Sequence, residues 1–187
     1  MRIVVAITGA SGGTYALHLL SELKKKEIEI YAILTEYGEK IMKHETGKLK
    51  YEIEEMVDEL YSEKNMKSPL ASGSFKYDAM VIVPCSLKTL ASIANGIAIN
   101  LVSRTAICCL KEGRKLIVVP RETPLDLISL ENMVKLKKAG AVILPAMPAF
   151  YHKPEKIDDL IYYIVGKILD LLGIKNSLYK RWGENDV

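Results

Sequence analysis

The chain has 187 residues, 49% hydrophobic and 26% charged, enough for one compact domain with a substantial core. The net charge is +3, and the lysines are scattered apart from the run 24–26 at a predicted helix end, so there is no footprint of a nucleic-acid binder. The N-terminal apolar stretch is too short for a signal-peptide core, and no stretch approaches the roughly 18 uncharged apolar residues of a membrane span; a cytoplasmic protein without membrane contact is expected.

Ile3, Val4, Val5 and Ile7 read as a short buried strand, and Leu17, Leu20 and Leu23 as the apolar stripe of the helix that follows. The turn between them, ITGASGG, sets backbone N–H groups and the Ser11 hydroxyl at a helix N-terminus, which suits an anion. The dinucleotide fingerprint fails because Ala10 and Ser11 stand where its second glycine would fall, and no Gly-Lys-Ser/Thr ending follows. A mononucleotide phosphate is the simplest ligand left; a tight turn holding nothing is the alternative.

EIEIYAILTEYG then reads as a second strand, GEKIMKHETG as a helix, and the acidic YEIEEMVDELY as another helix or helical excursion. SPLASGS is a loop, AMVIVPCS a third strand, LKTLASIANG a helix closed by Asn95-Gly96, and NLVSRTAICCLKEG a helix stopped by Gly113. KLIVVP is a fourth strand, SLENMVKLKKAG a helix ending near Gly140, and AVILP a fifth strand. KIDDLIYYIVGKILDLLG has Ile157, Leu160, Ile161, Ile164, Ile168, Leu171 and Leu172 on one helical face, apolar enough to meet another subunit.

Strand and helix alternate without internal repeat, which predicts a doubly wound α/β fold of three layers, flavodoxin-like or Rossmann-like, around a parallel sheet. Residues 1–187 are expected to form a single domain, with the helix and tail 155–187 at subunit contacts. Ligands of such sheets lie beyond the strands' carboxyl ends. The loops there are 8–13, 35–36, 84–89, 120–124 and 145–151, and they carry particular chemistry: Ser86, Lys88 and Thr89 opening a helix, Arg121 beside Glu122 between prolines, and Phe150 with Tyr151. Three cysteines without CxxC spacing and three distant histidines suggest neither a disulfide framework nor a zinc site.

GASGG, PCSLKTLASIANG, NLVSRTA, CLKEGRKLIVVPRETPLDLISLENM, GAVILPAMPAFYHKP and the terminal RW, in that order from Ile3 to Trp182, resemble the flavin prenyltransferases of the UbiX type, formerly described as aromatic-acid decarboxylases. The resemblance implies an enzyme that joins a dimethylallyl unit from dimethylallyl phosphate to reduced FMN without a metal. The product would be prenylated FMN, the cofactor of a UbiD-type decarboxylase. It also implies a homo-oligomer, a dodecamer with sites at subunit junctions. By this resemblance FMN contacts fall on Gly9, Ala10, Ser11, Thr35, Ser86, Leu87, Lys88, Thr89 and Arg121. The prenyl-phosphate end falls on Lys111, Arg121, Glu122, Tyr151, Lys167 and Trp182, with Glu45 near the reacting flavin and Ser11, Glu45, Lys111, Glu122 and Tyr151 taking part in catalysis. Lys167 stands where relatives often carry arginine, which keeps the cation and loses the fork-shaped grip.

These residue types suit the implied chemistry. Ionising an allylic phosphate without metal needs fixed cations at the leaving group, here Lys111, Arg121 and Lys167, and the cation formed needs a dry π-rich wall, here Tyr151 and Trp182. Taken alone, Lys111 reads as a solvated helix end, Lys167 as a lysine snorkelling from an apolar helix, and Glu45 as a surface carboxylate. Two rivals share the fold: an FMN-dependent decarboxylase of the phosphopantothenoylcysteine or peptidyl-cysteine kind, whose PASANT-like Asn and active-site His have no match in PCSLKT, and a flavodoxin-like electron carrier, for which an acidic surface is expected.

Overall fold

The computed structural model describes residues 1–183; residues 184–187 of the predicted tail lie outside them. The chain divides into two compact units, Met1–Pro145 and Ala146–Val187.

The first unit is a parallel sheet. Its strands are β1 (Arg2–Ile7), β2 (Glu29–Leu34), β3 (Glu59–Ser62), β4 (Ala79–Cys85), β5 (Lys115–Pro120) and β6 (Val142–Ile143), in the order β3-β2-β1-β4-β5-β6. The helices are α1 (Gly13–Lys25), α2 (Glu36–Thr46), α3 (Lys50–Glu54), α4 (Leu87–Ala94), α5 (Leu101–Lys111) and α6 (Leu127–Lys138). Strand order reverses between β1 and β4, so the crevice at their carboxyl ends is where this topology opens a ligand site.

Unbroken apolar runs make these strands because both of their faces are covered. Along β1 and β4 one face sends Val4, Ala6, Met80 and Ile82 into a cluster with Leu90 and Ile93 of α4, Leu101 and Val102 of α5 and Met133 of α6. The alternate residues Ile3, Val5 and Ile7 point the other way, and they are as completely buried as Ala16, Leu19, Leu20 and Leu23 on α1.

The acidic stretch read as a helix departs from expectation. It breaks into the short α3 and the edge strand β3, so the sheet has six strands where five are predicted. Leu60 pairs with Ala32 and Tyr61 with Ile33, and the Tyr61 ring stacks on Tyr31 at 6.5 Å. Pairing to a neighbouring strand overrides the helix propensity of the glutamates. The strand read in AVILP shrinks to Val142–Ile143, and α2 and α6 each begin two residues earlier than read, behind the N-caps Thr35 and Asp126.

The second unit is an irregular segment, with a turn closed by the Lys153 N–H on the Phe150 carbonyl, followed by α7 (Ile157–Leu172), closed by Gly173 at φ 77°. Beyond it the chain folds back on the helix. A Cβ on Gly166 would stand 2.5 Å from the Tyr179 ring, so this position must lack a side chain for the tail to pack.

A cleft at the carboxyl ends of the strands

The site begins where β1 and β4 are tied together. The Thr8 hydroxyl donates to the Pro84 carbonyl at 2.8 Å and accepts from the Ser86 N–H at 2.8 Å, while the Thr8 N–H reaches the same carbonyl at 3.3 Å. That bond holds Ser86 as the N-cap of α4: its oxygen accepts from the Thr89 N–H at 3.3 Å, and its hydroxyl donates to the Thr89 hydroxyl at 3.0 Å. On the other side, the Thr35 N–H donates to Ile7 O at 3.1 Å, and its side chain caps α2 by accepting from Gly38 N–H at 3.0 Å. The first turn and α2 approach so closely that a Cβ on Gly9 would lie 2.5 Å from Cβ of Tyr37, and one on Gly38 2.6 Å from the Ile7 carbonyl. Glycine is needed at both positions for space, whatever its backbone angles.

The result is a cleft of about 220 Å³ lined by Thr8, Gly9, Thr35, Tyr37, Glu63, Ser86, Lys88, Thr89 and Asn100. Thr35, Ser86, Lys88, Thr89 and Gly9 are among the predicted site residues; Thr8, Tyr37, Glu63 and Asn100 are not. Helices α2, α4 and α5 all point their N-termini here, which makes the cleft electropositive. Glu63 moderates this: its carboxylate accepts from the Glu36 N–H at 2.9 Å and from Asn100 Nδ2 at 2.6 Å. Asn100 in turn caps α5, its Oδ1 accepting from the Ser103 N–H at 3.1 Å. The first N–H groups of α4, at Leu87 and Lys88, have no partner inside their helix and stand beside the Lys88 side chain.

The glycine turn differs from expectation. The N–H groups of Gly12 and Gly13, the expected anion donors at the start of α1, are met by the chain's own Glu45: Gly12 donates to its two oxygens at 3.1 and 3.0 Å, and Gly13 at 2.8 Å. Gly12 makes this possible at φ 112°, a conformation that disfavours a side chain. Glu45 is therefore neither a stray surface carboxylate nor an unattached group, but the internal counter-anion of α1. Ala10 is buried and Ser11 exposed in the same turn. Arg121, just past β5, donates from Nε to the Ser11 carbonyl at 3.1 Å, and so brings a cation to the turn. Glu122 beside it is exposed and accepts from the Thr123 N–H at 3.1 Å. Tyr15, next to Gly12, has its phenol pushed up by burial and pulled back by Arg121.

Lys111 does not join this group within one chain. It ends α5, immediately before β5 starts, and pairs with Glu112 at 2.7 Å. Residues Lys115–Pro120 of β5 separate it from Arg121, about 20 Å at roughly 3.3 Å per residue. Within one chain Lys111 therefore stands at the amino end of the sheet, apart from Arg121.

Tyr151, Lys167 and Trp182 lie in the second unit. Tyr151 sits edge-on to Trp182 at 5.5 Å and to Tyr163 at 6.1 Å. Burial raises the Tyr151 phenol above its ordinary value, Tyr163 adds to this, and Arg181 opposes it. Lys167 is half-buried on α7, one turn before Asp170, whose carboxylate holds the tail.

The Flavoprotein family model matches residues 1–169. Flavin prenyltransferase UbiX of Methanocaldococcus jannaschii is 50% identical over 98% of this chain and 99% of its own length. AnUbiX (PadA1), solved in complex with FMN and dimethylallyl pyrophosphate, superposes with a TM-score of 0.96 at 42% identity, covering 99% of this chain and 98% of that one. A dodecameric FMN-dependent UbiX-like decarboxylase from Escherichia coli O157:H7 gives 0.95 at 38% identity over 97% of this chain and 99% of the other. A cleft at the β1–β4 reversal and a near full-length match at this identity lead to one conclusion: the chain belongs to the flavin prenyltransferase family.

Proposed function

We propose that this protein transfers a dimethylallyl group from dimethylallyl phosphate to reduced FMN, making prenylated FMN for a UbiD-type decarboxylase, as a metal-independent cytoplasmic enzyme. The observation that carries the reading is the cleft itself: hydroxyls of Thr8, Thr35, Ser86 and Thr89, the open amides of α4 and the Lys88 ammonium gathered at the strand-order reversal. These residues fit the phosphate and polyol of a mononucleotide. At about 220 Å³ the cleft is smaller than the roughly 300–1,000 Å³ of typical ligand pockets, so the ring system extends past Gly9 towards Ala10, Ser11 and Arg121.

When bound, the reduced flavin supplies the two nucleophilic atoms, a central-ring nitrogen and the neighbouring aromatic carbon, on which the five-carbon unit closes a ring. The chain's own groups do the rest. Arg121, Lys111 and Lys167 hold the phosphate as the allylic C–O bond breaks and its electron pair departs with the leaving group. Tyr151 and Trp182 present π-faces to the allylic cation and keep water away. Three proton movements would accompany the two new bonds, one lost from the flavin nitrogen, one gained by the alkene of the transferred unit and one lost from the aromatic carbon; the departing phosphate would take up and return them, with Glu122 and Glu45 as relays and Ser11 assisting. Because Lys111 sits at the far edge of its own sheet, it serves the site of a neighbouring protomer, which supports a homo-oligomeric, dodecameric enzyme.

The test is anaerobic incubation with reduced FMN and dimethylallyl phosphate, followed by mass spectrometry of the bound flavin. A flavin heavier by one five-carbon unit is expected; unmodified FMN overturns the reading.

A further inference from the structure

The second unit contains a built network with no assigned part in the chemistry. Asp170, on the last turn of α7, receives four hydrogen bonds from the returning tail: Arg181 Nη1 at 2.8 Å and Nη2 at 2.7 Å, Tyr179 Oη at 2.6 Å and Asn176 Nδ2 at 2.8 Å. The Arg181 guanidinium meets the carboxylate with both arms, a planar pairing that fixes direction as well as distance. It also lies over the Tyr179 ring, 5.1 Å from its centroid. Gly166, one turn earlier on α7, offers the flat surface on which Tyr179 rests.

The consequence is felt one residue beyond the anchor. Trp182 directly follows Arg181 and is 73% exposed, yet its ring is set edge-on to Tyr151 at 5.5 Å and an interplanar angle of 87°. Tyr151 is braced from behind by Tyr163, which itself contacts Tyr179 at 5.0 Å. An indole so open to solvent gains little from burial where it stands; its chain segment is held by polar contacts, the anchor at Arg181 and the hydrogen bond between the Trp182 backbone and the Tyr151 phenol.

We infer that Asp170 is a positioning residue: by clamping Arg181, Tyr179 and Asn176 it seats Trp182 against Tyr151 and so builds the aromatic wall that receives the allylic donor. Asp170 touches no substrate and acts through the two rings. The inference rests on the proposed prenyl transfer, in which Tyr151 and Trp182 meet the donor.

The experiment uses the full chain and two variants that disturb the seat by unrelated means. Asp170→Asn removes the charge that Arg181 grips, and Gly166→Ala inserts a methyl 2.5 Å from the Tyr179 ring while favouring the helix itself. Trp182 is the single tryptophan of the chain, so time-resolved anisotropy of its fluorescence reads the seat without reference to turnover. Wild type is expected to show one slow decay set by tumbling of the particle, and both variants an added sub-nanosecond component. A loss of about 10-fold or more in kcat/KM for dimethylallyl phosphate is expected, given that misplacement by ~1 Å costs on the order of 10²-fold, while FMN affinity stays at the wild-type value. In a Trp182→Ala background, Asp170→Asn should add no further loss. Unchanged anisotropy, wild-type donor kinetics, an equal loss of FMN affinity, or additivity with Trp182→Ala would each overturn the inference. A wild-type enzyme that leaves FMN unmodified would instead overturn the prenyl-transfer reading, and the anisotropy result would still decide the seat.

Discussion

Replacing Thr8 by valine keeps the branched shape of a side chain only 2% exposed and removes one hydroxyl. That hydroxyl makes two bonds of 2.8 Å, to the Pro84 carbonyl and from the Ser86 N–H. The Pro84 carbonyl keeps the Thr8 N–H at 3.3 Å, so it is weakened and not orphaned. The Ser86 N–H, half-buried at the cleft, loses its partner outright, at a cost towards the lower end of the about 1–3 kcal/mol of an unsatisfied donor. Together the two effects amount to about 2 kcal/mol, a fall of roughly 4–8 °C in Tm for a chain of this length. Because the same bond holds Ser86 where it caps α4, FMN affinity should fall as well. Differential scanning calorimetry at matched protein concentration, with and without FMN, measures both. A variant within about 0.5 kcal/mol of wild type, the level of an inconsequential surface change, with undiminished FMN affinity, would refute the idea that this hydroxyl joins the two strand ends.

Gly9→Ala should weaken FMN binding and destabilise the fold by roughly 1–3 kcal/mol, since its methyl meets Cβ of Tyr37 at 2.5 Å; a flavin titration by fluorescence quenching checks it. Coexpressing Lys111→Ala with Arg121→Ala should restore turnover that neither variant has alone, because a mixed particle contains sites with both cations intact if Lys111 is supplied by a neighbour. No recovery would place both cations in one chain's site. Acid should release the tail: Arg181, chiefly, holds the Asp170 carboxylate down to about 2 from an ordinary 3.8. A depressed folded-state pKa contributes stability above the unfolded value and loses it as pH falls through the folded one. The tail contact should therefore be constant above about pH 4 and fade between pH 4 and 2, with a contribution of about 1–2 kcal/mol after solvent screening. Trp182 anisotropy against pH follows it.

The strands that carry the core announced themselves because they are buried on both faces and hence unbroken in apolar residues; β1 and β4 are read almost to the residue. The edge strand β3 could not be read that way. Only its neighbour β2 makes ELYS a strand, and pairing across the chain is invisible to a local pattern. Glu63, which follows it, is hidden from a local pattern for the same reason, whereas the asparagine ahead of LVSRT is a readable N-cap signal whose place at the cleft is not. By local pattern Thr8 is the first residue of a loop, yet its hydroxyl binds the end of β4, 76 residues away. Motifs place Thr35, Ser86, Lys88 and Thr89 at strand ends, where the structure gathers them along one cleft, because the helix starts at Thr35 and Ser86 are local chemistry. They could not reveal that Lys111 faces the other edge, which depends on the direction of α5 relative to β5.

The cleft has a logic that no single motif contains. Converging helix N-termini create a positive field that would bind an anion anywhere along them, and a cofactor needs its phosphate in one place. The chain answers three helix termini itself. Glu45 takes the Gly12 and Gly13 amides at α1, and Glu63 takes the Glu36 amide at α2, while its carbonyl accepts from Leu101 at α5 at 2.8 Å. What stays open is α4, where Ser86 occupies only the Thr89 amide and Lys88 adds a cation. Internal carboxylates thus do by occupancy what a fingerprint motif does by glycine spacing: they leave one helix end for the ligand. A turn that fails both familiar glycine patterns can for that reason still belong to a nucleotide site, with the phosphate held one strand away from the glycines that advertise it.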